Sequence, residues 1–400
     1  MVECPRSGCI ETTFPGDIMK LTFDKLNWSG RYLDHDGIRY FDYSASGFCF
    51  VMKGKKAEAT FVTDADKWVE ENKAVLGLFI TEGDDTSIKA VPEEPDFRIT
   101  LREAETHCTL FESEVEKTVT IRVMKFSEAA FGLAGLKEIK VTGKIVNPRK
   151  LLHVFATFFN GFAIHKVSIR PSDYSTTALK LEFIGDSITC GYGIEGVWEK
   201  DTFTTAQERP DKAYAFQTAK ALGADVQLCS WSGIGITSAY VDPETINLPE
   251  TTWLMQGVWP YTDKSLSLRL GIEPEIWDSK ARYEPDLVVI NLGTNDISWV
   301  RGLEDRRLNY RAALKLLLEA VHRRSPKARI IACLGSMGEA LNDTAAEAVS
   351  LFKKDFPGVT ADFLPFTEQL PEDGIGTDWH PSATTHKKMA EKLISLICKA

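Results

Sequence analysis

The stretch "LEFIGDSITCGYG" (Leu181–Gly193) begins as an apolar, strand-like run and breaks at Gly185. Asp186 and Ser187 stand side by side at the break, with glycines on both sides. A tight turn calls for Gly and Asp. A nucleophile presented at the tip of a strand uses the same residues. Gly-Asp-Ser alone is ordinarily only a turn, so the rest of the chain has to decide.

Three more short apolar runs end near Gly or Ser: "ADVQLCSW" (224–231), "PDLVVINLG" (285–293) and "ARIIACLG" (328–335). "LVVIN" is apolar with almost no alternation, as expected of a strand covered on both faces. Helical segments lie between these runs. "KAYAFQTAKAL" (212–222) is one, and "LNYRAALKLLLEAVHRR" (308–324) is another, with Tyr310, Leu314, Leu317, Leu318 and Val321 on one face. The tail from Ser382, a candidate N-cap, is a third. Alternating strands and helices predict a three-layer α/β domain with a parallel sheet over 180–400. Ligands of such a sheet sit at the carboxyl ends of its strands.

Residues 1–170 read as all-β. "FRITL" (97–101) alternates, with Phe97, Ile99 and Leu101 on one face, and "TVTIRVM" (118–124) does the same with Val119, Ile121 and Val123. "IKVTGKIV" (139–146) and "LLHVFATFF" (151–159) continue the series. Short spacings marked by Gly, Asp, Asn and Pro predict a β-sandwich of jelly-roll type. A polar linker at 171–179 separates the two domains. Residues 236–280, rich in Trp, Pro and Thr, are expected to form a long loop or lid over the α/β domain.

Four hundred residues suit two domains. The net charge of −10 argues against non-specific binding to nucleic acid or acidic membranes, which want a basic face. No apolar run approaches the roughly 18 residues of a membrane helix. "MVECPRSGCIETTFPGD" shows no basic region followed by an apolar core, so a cytoplasmic protein is expected. The eight cysteines are scattered, without a CxxC pair or Cys/His cluster. They are expected to be buried free thiols rather than disulfides or a metal site.

Three of the four strands end in a polar, glycine-bearing segment: Gly185-Asp186-Ser187, "SWSGIG" (230–235) and "NLGTND" (291–296). In a parallel sheet these ends share one edge, so the loops can meet. "DWHPS" (378–382) precedes the last helix. A serine hydroxyl needs a base, which His380 can supply. The backbone N–H groups of Ser187 and Gly233 and the amide of Asn295 can form an oxyanion hole. Gly235 competes for the glycine role, but Gly233 follows the strand end directly.

Ser187, Gly233, Asn295 and His380, in this order, resemble the blocks of the SGNH hydrolases, also called the GDSL esterase family. The resemblance covers about 180–400 and implies a flavodoxin-like SGNH-hydrolase domain and a serine esterase. One departure concerns the third catalytic partner. Many members carry Asp three residues before the His, whereas here Thr377 takes that place and Asp378 lies two before. Either the Asp378 carboxylate or a backbone carbonyl near it supports the imidazole, and the carboxylate is the expected partner. A β-sandwich ahead of the catalytic domain, with "WSGRY" (28–32), "KFSEAAFG" (125–132) and "YEPDLVVINLGTND" (283–296), is similar to carbohydrate esterase family two. That similarity implies removal of O-acetyl groups from acetylated plant polysaccharide or oligosaccharide, such as xylan, mannan or glucomannan, with no metal or organic cofactor.

Trp231, Trp253, Trp259, Trp277, Trp299 and Trp379 all lie in the second domain. An exposed indole offers a plane to a pyranose ring. Trp379, beside His380, and Trp299, after "NDIS", are the candidate substrate contacts. Two other functions stay open: a lipase or thioesterase on other acyl esters, and a non-catalytic carbohydrate-binding protein. The loops are not Leu/Ile-rich, which favours sugar over a long acyl chain.

Overall fold

The computed structural model describes residues 18–146, 178–249 and 253–399. The anticipated strand 151–159, Cys4, Cys9 and most of the 171–179 linker lie outside the described residues.

The first sheet contains β1 (Ile18–Lys20), β2 (Asn27–Ser29), β3 (Leu33–His35), β4 (Ile38–Tyr40), β5 (Gly47–Val62), β6 (Val75–Glu82), β7 (Phe97–Thr100), β8 (Glu105–Lys125) and β9 (Gly135–Ile145). All pair antiparallel, in the order β3-β4-β9-β5-β8-β6-β7, with β1 on β9 and β2 on β5. Bulges at Gly54/Lys56 break the registers of β5 with both β8 and β9. Such bulges bend long strands and add twist. The sheet curls as a sandwich over Phe41, Phe48, Phe50, Phe61, Ile121 and Val141. Val119, Ile121 and Val123 are buried as their alternation predicts. Phe97, at the start of β7, is exposed rather than buried, and among the described residues no strand pairs with β7 on its outer side.

The second sheet is parallel throughout. Its strands are β10 (Lys180–Gly185), β11 (Asp225–Ser230), β12 (Leu287–Asn291), β13 (Arg329–Leu334) and β14 (Ala361–Pro365), in the order β11-β10-β12-β13-β14. The helices are α1 (Ser187–Cys190), α2 (Tyr214–Leu222), α3 (Lys264–Leu270), α4 (Ser279–Arg282), α5 (Thr294–Val300), α6 (Glu304–Arg324), α7 (Asn342–Asp355) and α8 (Ala383–Ile397). Alternation along β10 sends Leu181 and Phe183 to the face covered by α2 and α8, and Ile184 to the face covered by α6 and α7. Chain order reverses at β10, which has β11 on one side and β12 on the other. The carboxyl ends beside such a reversal are the usual ligand position in open α/β sheets.

The two sheets are locked together. Glu182, on the core strand β10, pairs with Arg31 at 2.8 Å, and both are buried. Gln227 Nε2 and Trp259 Nε1 also donate to the Glu182 carboxylate. Phe126 and Met124 of the β region join the apolar layer around Phe183 and Tyr214. Residues 236–280 serve this interface as well. Leu266 of α3 packs with Leu33, Tyr40 and Leu133, and Arg269 bonds Asp64 at 2.7 Å. The described part of the segment lies over the α/β domain as expected, with Ile236, Met255, Val258 and Trp259 in that domain's core, and α3 adds the contacts to the neighbouring sheet.

Among the described residues six cysteines are free. Cys49, Cys190, Cys229 and Cys333 are buried as expected, whereas Cys108 is half-buried and Cys398, just past α8, is exposed. No helix among the described residues is long and apolar enough to cross a membrane.

Candidate active site

Strand β10 delivers the chain to Gly185, and α1 begins two residues later with Ser187. Asp186 makes the connection: its Oδ1 accepts the Ile188 N–H at 3.0 Å and caps the helix. A Cβ on Gly185 would lie 2.0 Å from Thr189 Oγ1, so the helix folds back over the strand end only above glycine. Gly191, with φ 79°, closes the single turn. The turn and the presentation of Ser187 are one structure.

His380 lies two residues before Ser382, whose hydroxyl caps α8 by accepting the Thr385 N–H. Its Nε2 stands 2.7 Å from Ser187 Oγ. Its Nδ1 faces the carbonyls of Asp378 at 3.1 Å and Thr377 at 3.2 Å. A carbonyl can only accept, so Nδ1 carries the proton and the Nε2 lone pair faces the serine hydroxyl. That is the tautomer a general base requires. Burial pushes the His380 pKa down to about 4, against the opposing pull of the two carbonyls and the Asp378 charge.

The Asp378 carboxylate makes no hydrogen bond to the imidazole, which corrects the expectation from the sequence. Asp378 and Trp379 both adopt left-handed backbone, with φ 53° and 62°. With one residue between Asp378 and His380, this path aims the Asp378 carbonyl at Nδ1. The carboxylate instead accepts the Tyr192 hydroxyl at 2.8 Å. The arrangement is a Ser187–His380 dyad with carbonyl support. Tyr192 was not foreseen. Its ring stacks on Phe203 at 3.7 Å and 6° and lies 4.4 Å from the His380 ring.

The register of the sheet sets Gly185 level with Ser230 on β11 and Asn291 on β12. The loops bearing Gly233 and Asn295 therefore leave the sheet beside Ser187. Neither the Ser187 nor the Gly233 N–H has a protein acceptor among the described residues. Asn295 Nδ2 donates one proton to the Ile234 carbonyl at 2.8 Å, which fixes the amide and leaves its second N–H. The space where a Gly233 Cβ would stand is open, whereas one on Gly235 would lie 2.0 Å from Ser238 O and 2.5 Å from Asp296 Oδ2. Gly235 is thus a packing glycine. Asp296 accepts the N–H groups of Ile236 at 3.0 Å, Thr237 at 2.6 Å and Ser238 at 3.1 Å, and the Thr237 hydroxyl at 2.6 Å. It shapes the loop that bears Gly233. Its signal in the sequence was the acid directly after Asn295.

Trp379 is 40% exposed and meets Trp198, 37% exposed, edge-to-face at 5.6 Å. Trp198 was not anticipated. Trp299 suits the substrate role less well than expected, because the Arg306 guanidinium lies 3.4 Å over its ring and covers one face. Trp231 and Trp253 stack at 5.5 Å beside the Gly233 loop. Trp259 and Trp277 are buried packing residues. Among the described residues no group of three or more His, Cys, Asp or Glu side chains could hold a metal ion.

This chain is 38% identical over 223 residues to the cellulase/esterase CelE of Acetivibrio thermocellus, covering 54% of this chain and 25% of that protein. It is 30% identical over 219 residues to an acetylxylan esterase/glucomannan deacetylase of Cellvibrio japonicus, covering 54% and 55%. The chain thus spans between a quarter and just over half of the length of these curated relatives. Its fold is similar to a family two carbohydrate esterase from Clostridium thermocellum solved in complex with cellohexaose (TM-score 0.72, 26% identity, 94% of this chain and 98% of that one). It also resembles the fold of the acetyl xylan esterase Est2A from Butyrivibrio proteoclasticus (TM-score 0.74, 21% identity, 96% and 98%). The model of the GDSL-like lipase/acylhydrolase family matches residues 183–388, more than half of the chain and the whole span from β10 into α8. On that match the chain belongs to the GDSL-like lipase/acylhydrolase family.

Proposed function

We propose that the chain is a serine esterase that removes O-acetyl groups from acetylated plant polysaccharide or oligosaccharide of the xylan, mannan or glucomannan type. The observation that carries the reading is the 2.7 Å approach of His380 Nε2 to Ser187 Oγ beyond the carboxyl end of β10. The names of the relatives support the choice of acetyl and of carbohydrate. The exposed Trp198–Trp379 pair, of which Trp379 directly precedes His380, supports a sugar ligand.

In this mechanism His380 takes the Ser187 proton as Oγ attacks the acetyl carbonyl carbon. The carbonyl electron pair moves to oxygen, and the resulting oxyanion is held by the N–H groups of Ser187 and Gly233 and the Asn295 amide. Collapse breaks the bond to the sugar oxygen, which takes its proton from His380. Water, losing a proton to His380, then attacks the acetyl-enzyme; the bond to Oγ breaks, Oγ takes that proton from His380, and acetic acid leaves with Ser187 and neutral His380 restored. The test is NMR of acetylated manno- and xylo-oligosaccharides with wild type and Ser187→Ala. Acetyl signals should disappear with wild type and persist with the variant. Persistence with both, or loss with both, sinks the reading.

A further inference from the structure

The segment "KFSEAAFG" (125–132) belongs to the antiparallel-sheet part of the chain, yet its Glu128 reaches the loops around Ser187. Its Oε2 accepts the Ser232 N–H at 2.5 Å and the Cys190 thiol at 3.5 Å. Ser232 precedes Gly233, and Cys190 ends the helix that Ser187 begins. One carboxyl group therefore touches both the oxyanion loop and the nucleophile's helix.

Glu128 is itself held from several sides. Its N–H donates to Glu208 Oε2 at 2.8 Å. Arg209, the next residue, donates its N–H to the Gly191 carbonyl at 3.0 Å, just behind α1. The Glu128 carbonyl accepts Lys125 Nζ at 3.0 Å, and that buried ammonium also binds the carbonyls of Asp42 and Ser127. Glu128 and Glu208 are both fully buried, and their carboxyl groups hydrogen-bond each other. Burial raises both pKa values, and Glu128 repels a charge on Glu208. Two buried acids are an expensive way to fill space, since apolar side chains of the same volume would incur no desolvation cost. Packing alone does not account for them.

We propose that Glu128 is a positioning residue for the oxyanion hole. Its carboxyl group fixes the Trp231–Ser232 peptide, and this sets the direction of the Gly233 N–H one peptide later. The antiparallel sheet then contributes to the reaction through the loop it holds. The inference rests on the esterase reading above.

The test compares Glu128→Gln, which keeps an acceptor oxygen, with Glu128→Leu, which keeps the volume and removes it. Each is assayed for kcat and KM on a small acetyl ester, for Tm, and for binding of phenylboronic acid. The boronate forms a tetrahedral adduct on serine whose oxygen occupies the hole. Losing one oxyanion donor outright typically costs roughly 10²–10³ in rate, so misdirecting one should cost about 10- to 100-fold. The Leu variant should lose that much in kcat and boronate affinity with KM within about twofold. The Gln variant should recover most of both. If Leu does not fold at the site, Glu128→Ala against Gln reads the same contrast. A folded Leu or Ala variant with wild-type kcat overturns the proposal. So does equal loss in the Gln variant, or a loss confined to KM. Wild type against Ser187→Ala in the same assay separates failure of this inference from failure of the esterase reading.

Discussion

Tyr192 donates its hydroxyl to the Asp378 carboxylate at 2.8 Å, and the carbonyl of the same aspartate faces His380 Nδ1 at 3.1 Å. The side chain of Asp378 anchors while its backbone supports the imidazole. A left-handed non-glycine residue is held only where its surroundings over-determine it, and the Tyr192 bond is one such constraint.

This division of labour separates Asp378 from the acid of a catalytic triad. Replacing a triad carboxylate with its amide costs about 10⁴ in kcat. Asp378→Asn keeps the carbonyl, so its kcat should stay within about tenfold of wild type. Tyr192→Phe keeps the ring stack on Phe203 and loses one hydrogen bond, typically about 0.5–1.5 kcal/mol. If that loss falls on the base, kcat drops about 2- to 12-fold with little change in KM. Steady-state kinetics on a small acetyl ester check both. A 10⁴ loss in Asp378→Asn would restore the carboxylate as the third catalytic member.

The pH profile follows from the burial of His380. As the proposed base, His380 acts when neutral, so esterase activity should be present above its pKa and lost as pH falls through it. With that pKa near 4, kcat/KM should have an acid limb centred near pH 4, well below the 6.5 of an ordinary histidine. The Asp378 charge raises the His380 pKa, so Asp378→Asn should move the limb lower still. A limb at 6–7 in wild type would mean that the imidazole is far more solvated than its place in the fold implies.

How much of this was legible in the sequence depended on distance along the chain. The turn of "IGDSITCG" is local, and Gly185, Asp186 and Ser187 carry its whole geometry. The strand-end blocks were legible because a parallel sheet puts successive carboxyl ends on one edge. β14 was missed, since "ADFLP" is five residues long, ends in Pro and runs at the sheet margin. Tyr192–Asp378 and Glu128–Ser232 span 186 and 104 residues, and no local pattern announces such pairs. Glu182 did leave a trace as the one acid in an apolar strand, but its partner Arg31 stood 151 residues away. The left-handed backbone at Asp378 had no signal, because spacing alone left carboxylate and carbonyl equally reachable.

The two glycines of "SGIG" should respond differently to a methyl group. Gly235→Ala would drive a Cβ to 2.0 Å from the Ser238 carbonyl and 2.5 Å from Asp296, breaking the cradle around that carboxylate. Gly233→Ala meets no atom within 4 Å, though its φ of 74° costs an L-residue on the order of 1 kcal/mol. Gly235→Ala should therefore lose more kcat and more Tm than Gly233→Ala. Asp296→Ala, which empties the cradle, should resemble Gly235→Ala. Equal and mild effects for all three would show that the loop keeps its shape without the Asp296 contacts.

The Arg31–Glu182 pair decides how the two sheets depend on each other. Arg31 Nη2 bonds Glu182 at 2.8 Å, and its Nη1 donates to the carbonyls of Trp259 at 2.7 Å and Tyr261 at 2.5 Å. Removing one partner of a buried pair leaves an uncompensated charge and typically costs about 3–5 kcal/mol. Glu182→Leu alone should cost this much, because it strands the Arg31 guanidinium. Arg31→Met alone should cost a similar amount, because Glu182 keeps only its bonds from Gln227 and Trp259. The double variant removes both charges and should be less destabilised than the sum of the two, though the carbonyls of Trp259 and Tyr261 then lose their donor. Denaturant unfolding of the four proteins gives the coupling directly. If the two single costs simply add, the pair is not the lock between the sheets, and the apolar layer around Phe126 and Phe183 holds them together instead.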